Sequence, residues 1–187
     1  MSIDFGKASD KFDAVMSTTG KENDALQGGG VFTVTCRDAE GNLKWEDGFH
    51  NLVPSQGLQY MSASFFNATG YTTALYFGLI TGPGSGTSYA AADTLASHAG
   101  WSESVLVGSR KAITFGTPTT ATPSVTTGTS SVFTVTGAAT IAGAFVTNAS
   151  SGTSGVLFAE GDFTGGDKSV TTGDTLAVTY TFSLTTS

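Results

Sequence analysis

Thr175-Leu176-Ala177-Val178-Thr179-Tyr180-Thr181-Phe182-Ser183-Leu184 is apolar at every second position. Successive side chains of an extended chain point to opposite faces. Leu176, Val178, Tyr180, Phe182 and Leu184 therefore share one face, and hydroxyl-bearing or small residues share the other. The pattern predicts a long strand with one core side and one Thr/Ser side, entered through a turn at Gly173-Asp174.

The stretches upstream agree with this reading. From Ala112 through Ala159 the chain carries no Asp, Glu, Lys or Arg. Short runs rich in Val, Phe, Ile and Thr, at Val132–Thr136, Ile141–Thr147 and Val156–Ala159, read as strands between Gly/Ser/Thr/Pro loops. Leu75–Ile80 is apolar on both faces and predicts a central strand covered on both sides. Ser104–Val107 and Ile113–Phe115 are expected strands around Arg110. Nearer the N-terminus, Phe32, Val34 and Cys36 alternate, residues 38–42 (DAEGN) supply a turn and Leu43–Glu46 returns, which together make a hairpin. Leu58, Met61 and Phe65 fall on one helical face after Pro54, and a second short helix is expected from Asp93, as cap, to His98.

The chain thus reads as all-β, with about eight to ten strands in a β-sandwich of jelly-roll or immunoglobulin-like type and one or two short helices. Composition fits: 39% of residues are hydrophobic, only 12% are charged, and 25 are glycine. At 187 residues one domain is expected. Gly28-Gly29-Gly30 marks the boundary between an extended N-terminal arm, residues 1–30, and a sandwich domain, residues 31–187. Within the arm, Phe12, Val15 and Met16 have the i, i+3, i+4 spacing of a short amphipathic helix, preceded by Ile3 and Phe5. These five are the candidate partner-binding residues.

Charge and motifs narrow the function. Fifteen acids against eight bases, with Arg110-Lys111 the closest basic cluster, speak against nucleic-acid binding, because phosphate contacts need clustered cations. No apolar stretch is long enough for a membrane span, and Met1–Phe5 does not open a signal peptide, so synthesis in a cytoplasm is expected. Cys36, in phase with Phe32 and Val34, reads as a buried small hydrophobe. His50 and His98 have no metal-ligand spacing with other residues. Asp93, Ser97, His98 and Ser102 suggest a hydrolase, but no nucleophile elbow surrounds either serine. Glu160, Asp162 and Asp167 could offer oxygens to calcium; their spacing matches no calcium loop, and solvated turn carboxylates are the expectation. No catalytic residue, metal site or cofactor is assigned.

Several blocks carry a family likeness: residues 51–58 (NLVPSQGL), Leu75–Ile80, residues 92–103 (ADTLASHAGWSE), residues 142–146 (AGAFV) and residues 170–182 (VTTGDTLAVTYTF). Over roughly residues 45–187 the sequence resembles a family of small virion-associated structural proteins of tailed bacteriophages. The likeness implies a virion component more firmly than a position in the particle. Taken with the chain's size, its lack of a catalytic motif, its N-terminal arm and its hydroxyl-rich strand faces, the expectation is a non-enzymatic capsid decoration (cement) protein on the capsid exterior. Such a protein would form a homotrimer and clamp the major capsid protein through the arm. A tail, collar or fibre-associated module is the alternative, with Trp45, Tyr71, Tyr89 and Trp101 available to stack on sugars. A virion glycan hydrolase would need paired carboxylates, for which Glu103 with Asp93, or Glu160 with Asp162, are the candidates.

Overall fold

A computed structural model describes residues 26–67, 74–81, 89–117 and 124–186. The candidate arm residues Ile3, Phe5, Phe12, Val15 and Met16, and Tyr71, lie outside the described residues.

The chain is all-β. In order, the strands are β1 (Leu26–Arg37), β2 (Leu43–His50), β3 (Leu75–Thr81), β4 (Ser102–Glu103), β5 (Lys111–Ile113) and β6 (Ser124–Thr126). They continue as β7 (Ser131–Thr134), β8 (Ala139–Ile141), β9 (Gly143–Thr147), β10 (Leu157–Asp162), β11 (Lys168–Val170) and β12 (Thr175–Thr186). One helix, α1 (Ser55–Ser62), runs into a π turn over Ala63–Asn67. One sheet has the order β2-β1-β12-β6, with β7 also on β12; the other has the order β10-β9-β3-β4, with β5 also on β3. All these pairings are antiparallel, and β8 with β11 forms a separate ribbon.

The alternation in β12 does what its sequence predicts. Leu176, Val178, Tyr180 and Phe182 are buried, and they meet Phe32, Val34 and Cys36 of β1 and Phe133 of β7. Phe77 and Leu79 of β3 and Ala144 and Val146 of β9 close this core from the second sheet. Phe32 anchors it, stacking on Phe49 at 5.1 Å and lying 4.6 Å from the Tyr180 ring. Cys36 is fully buried, and burial first, then the carboxylate of Asp174, pushes its thiol up to about 11. It is an inert core residue, as its phase in the strand implies.

Four expectations are corrected. First, β1 begins at Leu26, so Gly28–Gly30 belong to the sandwich instead of breaking the chain before it, with Gly30 opposite Phe182. A Cβ on Gly30 would occupy the space of the Tyr180 phenol, so the glycine lets that ring lie across the strand. Second, the buried side of α1 and its π turn is Gly57, Tyr60, Met61 and Ser64, while Leu58 and Phe65 are exposed. Gly57 sits so close to the Phe158 backbone that no side chain fits, and this contact sets which face turns inward. Third, Asp93–His98 is not a helix: Thr94 and Ser97 exchange backbone hydrogen bonds in a tight turn. Fourth, Ser104–Val107 forms a turn, because the strand there ends at Glu103.

A second, smaller core lies on the other face of the β10-β9-β3-β4 sheet. Ile80, Phe145 and Leu157 are covered there by Leu95 and Trp101 of the 89–101 loop. β3 is therefore buried on both sides, as its continuous apolar run predicts.

Candidate functional site

The chain buries its most unusual chemistry under the 89–101 loop. β10 carries a bulge between Leu157 and Ala159, after which Glu160 stands opposite Phe145. The bulge sends Phe158 and Ala159 into the main core and leaves Glu160 on the loop-covered face. The Glu160 backbone is held by Leu52, with N–H···O bonds of 2.8 and 3.0 Å in the two directions. Its side chain is fully buried.

Trp101 is the donor that Glu160 meets, its Nε1–H reaching Oε2 at 3.0 Å. The indole is itself sandwiched, stacked on His98 at 3.6 Å and packed on Phe145 at 5.2 Å. The other Glu160 oxygen, Oε1, has no N–H or O–H donor, and the Asp93 carboxyl lies within hydrogen-bonding reach of Glu160. Two buried carboxyls in contact need a shared proton, since two adjacent anions in low dielectric repel. Burial first, then the charge of Asp93, pushes Glu160 up to about 8, with the Trp101 N–H working the other way. At neutral pH Glu160 is therefore a carboxylic acid. His98 is moved in the opposite sense: burial disfavours its imidazolium, and the charge of Asp93 only partly compensates.

The loop above the pair is fixed from several sides. Asp93 Oδ2 accepts the Ala90 N–H at 2.9 Å, and the Asp93 N–H returns to the Ala90 carbonyl at 2.9 Å. Gln56 of α1 uses one oxygen to accept two backbone N–H groups, Leu157 at 2.7 Å and Leu95 at 3.3 Å, and so ties strand, helix and loop together. Tyr89 OH lies 3.4 Å from Asp162 Oδ1. Burial, followed by the charge of Asp167, raises the Asp162 carboxyl above its ordinary value.

These positions revise the expected pairs. Glu103 does not face Asp93: it takes a two-pronged ion pair from Arg110, at 2.9 and 2.8 Å. Arg110 is buried beside the Phe145 ring and also donates to the Ala149 and Gly152 carbonyls, so it pins a loop of the charge-free stretch. Glu160 pairs with Asp93, one member from each proposed couple. Nor is Glu160 a solvated turn residue, because the strand continues through it to Asp162. No group of three or more His, Cys, Asp or Glu side chains among the described residues is placed to hold a metal ion. Ser97 and Ser102 make no contact with His98 that would form a nucleophile–base pair; Ser97 closes the turn with Thr94.

Of the four aromatics considered for sugar stacking, the three among the described residues are engaged in packing. Trp101 is buried, Trp45 packs edge-on against Phe163 at 5.3 Å, and Tyr89 covers the small core. Reading the sequence missed Gln56 and the Glu160–Asp93 contact. The one sequence signal for the latter was an acid directly following the apolar run Val156–Ala159.

The other acids and bases hold loops. Lys44 pairs with Asp174, and Lys168 with Asp47 at 3.2 Å. Asp47 also accepts the Gly165 N–H at 3.1 Å. By contrast, the outer face of β1 and β12 presents Val31, Thr33 and Thr35 beside Thr179, Thr181 and Ser183, with Thr126 and Thr181 hydroxyls 2.9 Å apart. Charge and polarity enter this face at its margins, from Glu46 and His50 on the β2 edge and from the exposed Arg37 at the end of β1.

No helix among the described residues is long and apolar enough to cross a membrane. Compared with known protein families, characterised proteins and solved structures, the chain matches none.

Proposed function

We propose that this chain is a virion structural protein of a tailed bacteriophage, a capsid decoration protein that binds the outside of the shell. One observation carries the binding part of this reading. The acids able to do chemistry are turned inward, Glu160 fully buried and Asp93 only 7% exposed, while the broad outer face of β1 and β12 is a lattice of Thr, Ser and Val. A buried carboxyl pair reaches no substrate, and a hydroxyl-rich face with charge only at its margins is suited to contact with another protein surface. The assignment to a phage particle comes from the likeness of residues 45–187 described above.

In this reading the protein is a homotrimer on the major capsid protein. The sandwich face lies on the shell, and residues 1–25 reach a neighbouring subunit, with Ile3, Phe5, Phe12, Val15 and Met16 as apolar contacts. Ordering that segment on assembly opposes binding, and the apolar area it buries offsets the loss. The net charge of −7 keeps the free protein soluble and complements a basic shell exterior. The aromatics being engaged in packing weighs against the sugar-binding tail module.

The test is cosedimentation of the purified chain with expanded shells that lack it. The parent should saturate the shells, and Ile3→Ser with Phe5→Ser should weaken binding by at least about tenfold. Failure of the parent to bind at micromolar concentration, or full binding by the double variant, counts against the shell or the arm respectively.

A further inference from the structure

The π turn after α1 exposes what a soluble domain ordinarily hides. Phe65 and Phe66 are each 83% exposed, their rings meeting edge-on at 4.9 Å. With Tyr60, Met61 and Leu184 they line an apolar groove of about 420 Å³. Ser64, at the same groove, has a buried hydroxyl without a hydrogen-bond partner. Two adjacent exposed phenylalanines beside an unsatisfied hydroxyl mark a surface that something covers.

The position of the groove identifies its occupant. Leu184 stands opposite Gly28 in the β1–β12 pairing, and Leu26, where β1 begins, stands opposite Thr186. The chain therefore enters the sandwich beside the groove, with residues 1–25 still to place. The sequence next to the entry, residues 17–25 (STTGKENDA), is polar; it follows the apolar stripe Phe12, Val15 and Met16. A nine-residue connector spans up to about 30 Å when extended, ample to return to the strand's own edge. A tether of that length gives an effective concentration of about a millimolar, far above that of a second copy in solution.

We propose that Phe12, Val15 and Met16 seat in the Tyr60–Phe66 groove of their own chain. They cover Phe65 and Phe66 in the free protein. This docking does not depend on the partner being a capsid. It holds the inner half of the segment while the protein is free and leaves Ile3 and Phe5 to make the first contact with a neighbour, to which Phe12, Val15 and Met16 transfer on assembly.

A cysteine pair tests it in the full-length chain. Met16→Cys with Ser62→Cys, at an exposed position lining the same groove, should form an intrachain disulfide under mild oxidation at low micromolar protein, seen as a faster band on a non-reducing gel. Cys36 does not interfere, because it is buried. Met16→Cys with Thr35→Cys, on the Thr-rich face, should react at least about tenfold more slowly. Equal rates for the two pairs overturn the proposal, and interchain disulfides overturn it in favour of a second copy. Hydrogen exchange gives an independent readout. Replacing Phe12, Val15 and Met16 by Ser should speed exchange over residues 60–66 by about tenfold, independently of protein concentration, and leave β1 and β12 protected. Unchanged exchange over 60–66 overturns the proposal, and so does protection that disappears on dilution.

Discussion

The two cores of this protein share a sheet and differ in kind. Between the sheets, Phe32, Phe77, Phe133 and Tyr180 make a large apolar interior, and the buried Asp174 that acts on its Cys36 is paired with Lys44. On the far side of the β10-β9-β3-β4 sheet, Ile80, Ala142, Phe145 and Leu157 lie under the 89–101 loop beside a carboxyl pair and an indole that hydrogen-bonds to it. The first core is held by apolar burial, which hardly responds to pH. The second depends on a proton, so its stability titrates. The difference separates strength from sensitivity within one fold.

The largest expected effect lies in the first core. Tyr180→Ala removes a fully buried ring that lies against Phe32 and over Gly30. Its cost should be about 3–5 kcal/mol in denaturant unfolding, nearly the same at every pH below the phenol's ordinary 10.0. A strongly pH-dependent loss would erase the contrast between the cores.

Next comes the proton. In an unfolded chain Glu160 ionises near its ordinary 4.5, and in the fold near about 8. The fold therefore keeps a proton that the unfolded chain has released. The stability this gives is complete below about pH 4.5 and is lost as pH rises through about 8. Glu160→Gln should remove the decline between about pH 4.5 and about 8, leaving the variant more stable than the parent above that window by on the order of 2–3 kcal/mol. Parallel stability–pH curves for the two proteins would refute the shared proton. His98 acts from the acid side: its imidazole is disfavoured as a cation in the fold, so stability falls as pH drops through and below its ordinary 6.5. His98→Gln should flatten that limb alone.

Arg110→Met tests the border between the regions. It leaves Glu103 and the Ala149 and Gly152 carbonyls without their donor, and should cost about 2–3 kcal/mol, discounted because Glu103 is partly exposed. Arg110→Lys should rescue little, since one ammonium cannot replace a fork. Smaller still is Gly78→Ala. Its Cβ would enter the space of the Phe145 ring, opposite it across the β3–β9 pair, and press that ring into the loop-covered core. A loss of about 1–3 kcal/mol is expected, accompanied by faster exchange in residues 89–101. On the outer face, Thr179→Lys should change stability by no more than about 0.5 kcal/mol while weakening shell binding.

The same contrast explains what could be read from the sequence. The first core is written in period-two alternation: Phe32, Val34 and Cys36 in one strand and Leu176 through Leu184 in another carry their facing directly. The continuous run in β3 likewise announces two covered faces. The second core is assembled from residues far apart in the chain: Gln56 to Leu157, Trp101 to Glu160, Asp93 to Glu160. No local periodicity encodes such contacts. Glu160-Gly161-Asp162 has turn chemistry in isolation, and it stays a strand because β9 pairs with it and Leu52 bonds Glu160. Asp93–His98 has a helix cap and a helix stop, yet the loop must drape Leu95 and Trp101 over Phe145, and a tight Thr94–Ser97 turn does so. Gly28–Gly30 reads as a break because glycine disfavours strands; the Tyr180 ring supplies the packing that the missing side chains lack.

The proposed function rests on the surface and on where that surface sits. The most direct test is cryo-electron microscopy of particles carrying this chain, with copy number measured by quantitative mass spectrometry. The account predicts density for the sandwich on the outer shell, arranged around local symmetry axes, in hundreds of copies per particle. Density confined to the tail or collar, at a dozen copies or fewer, would contradict it.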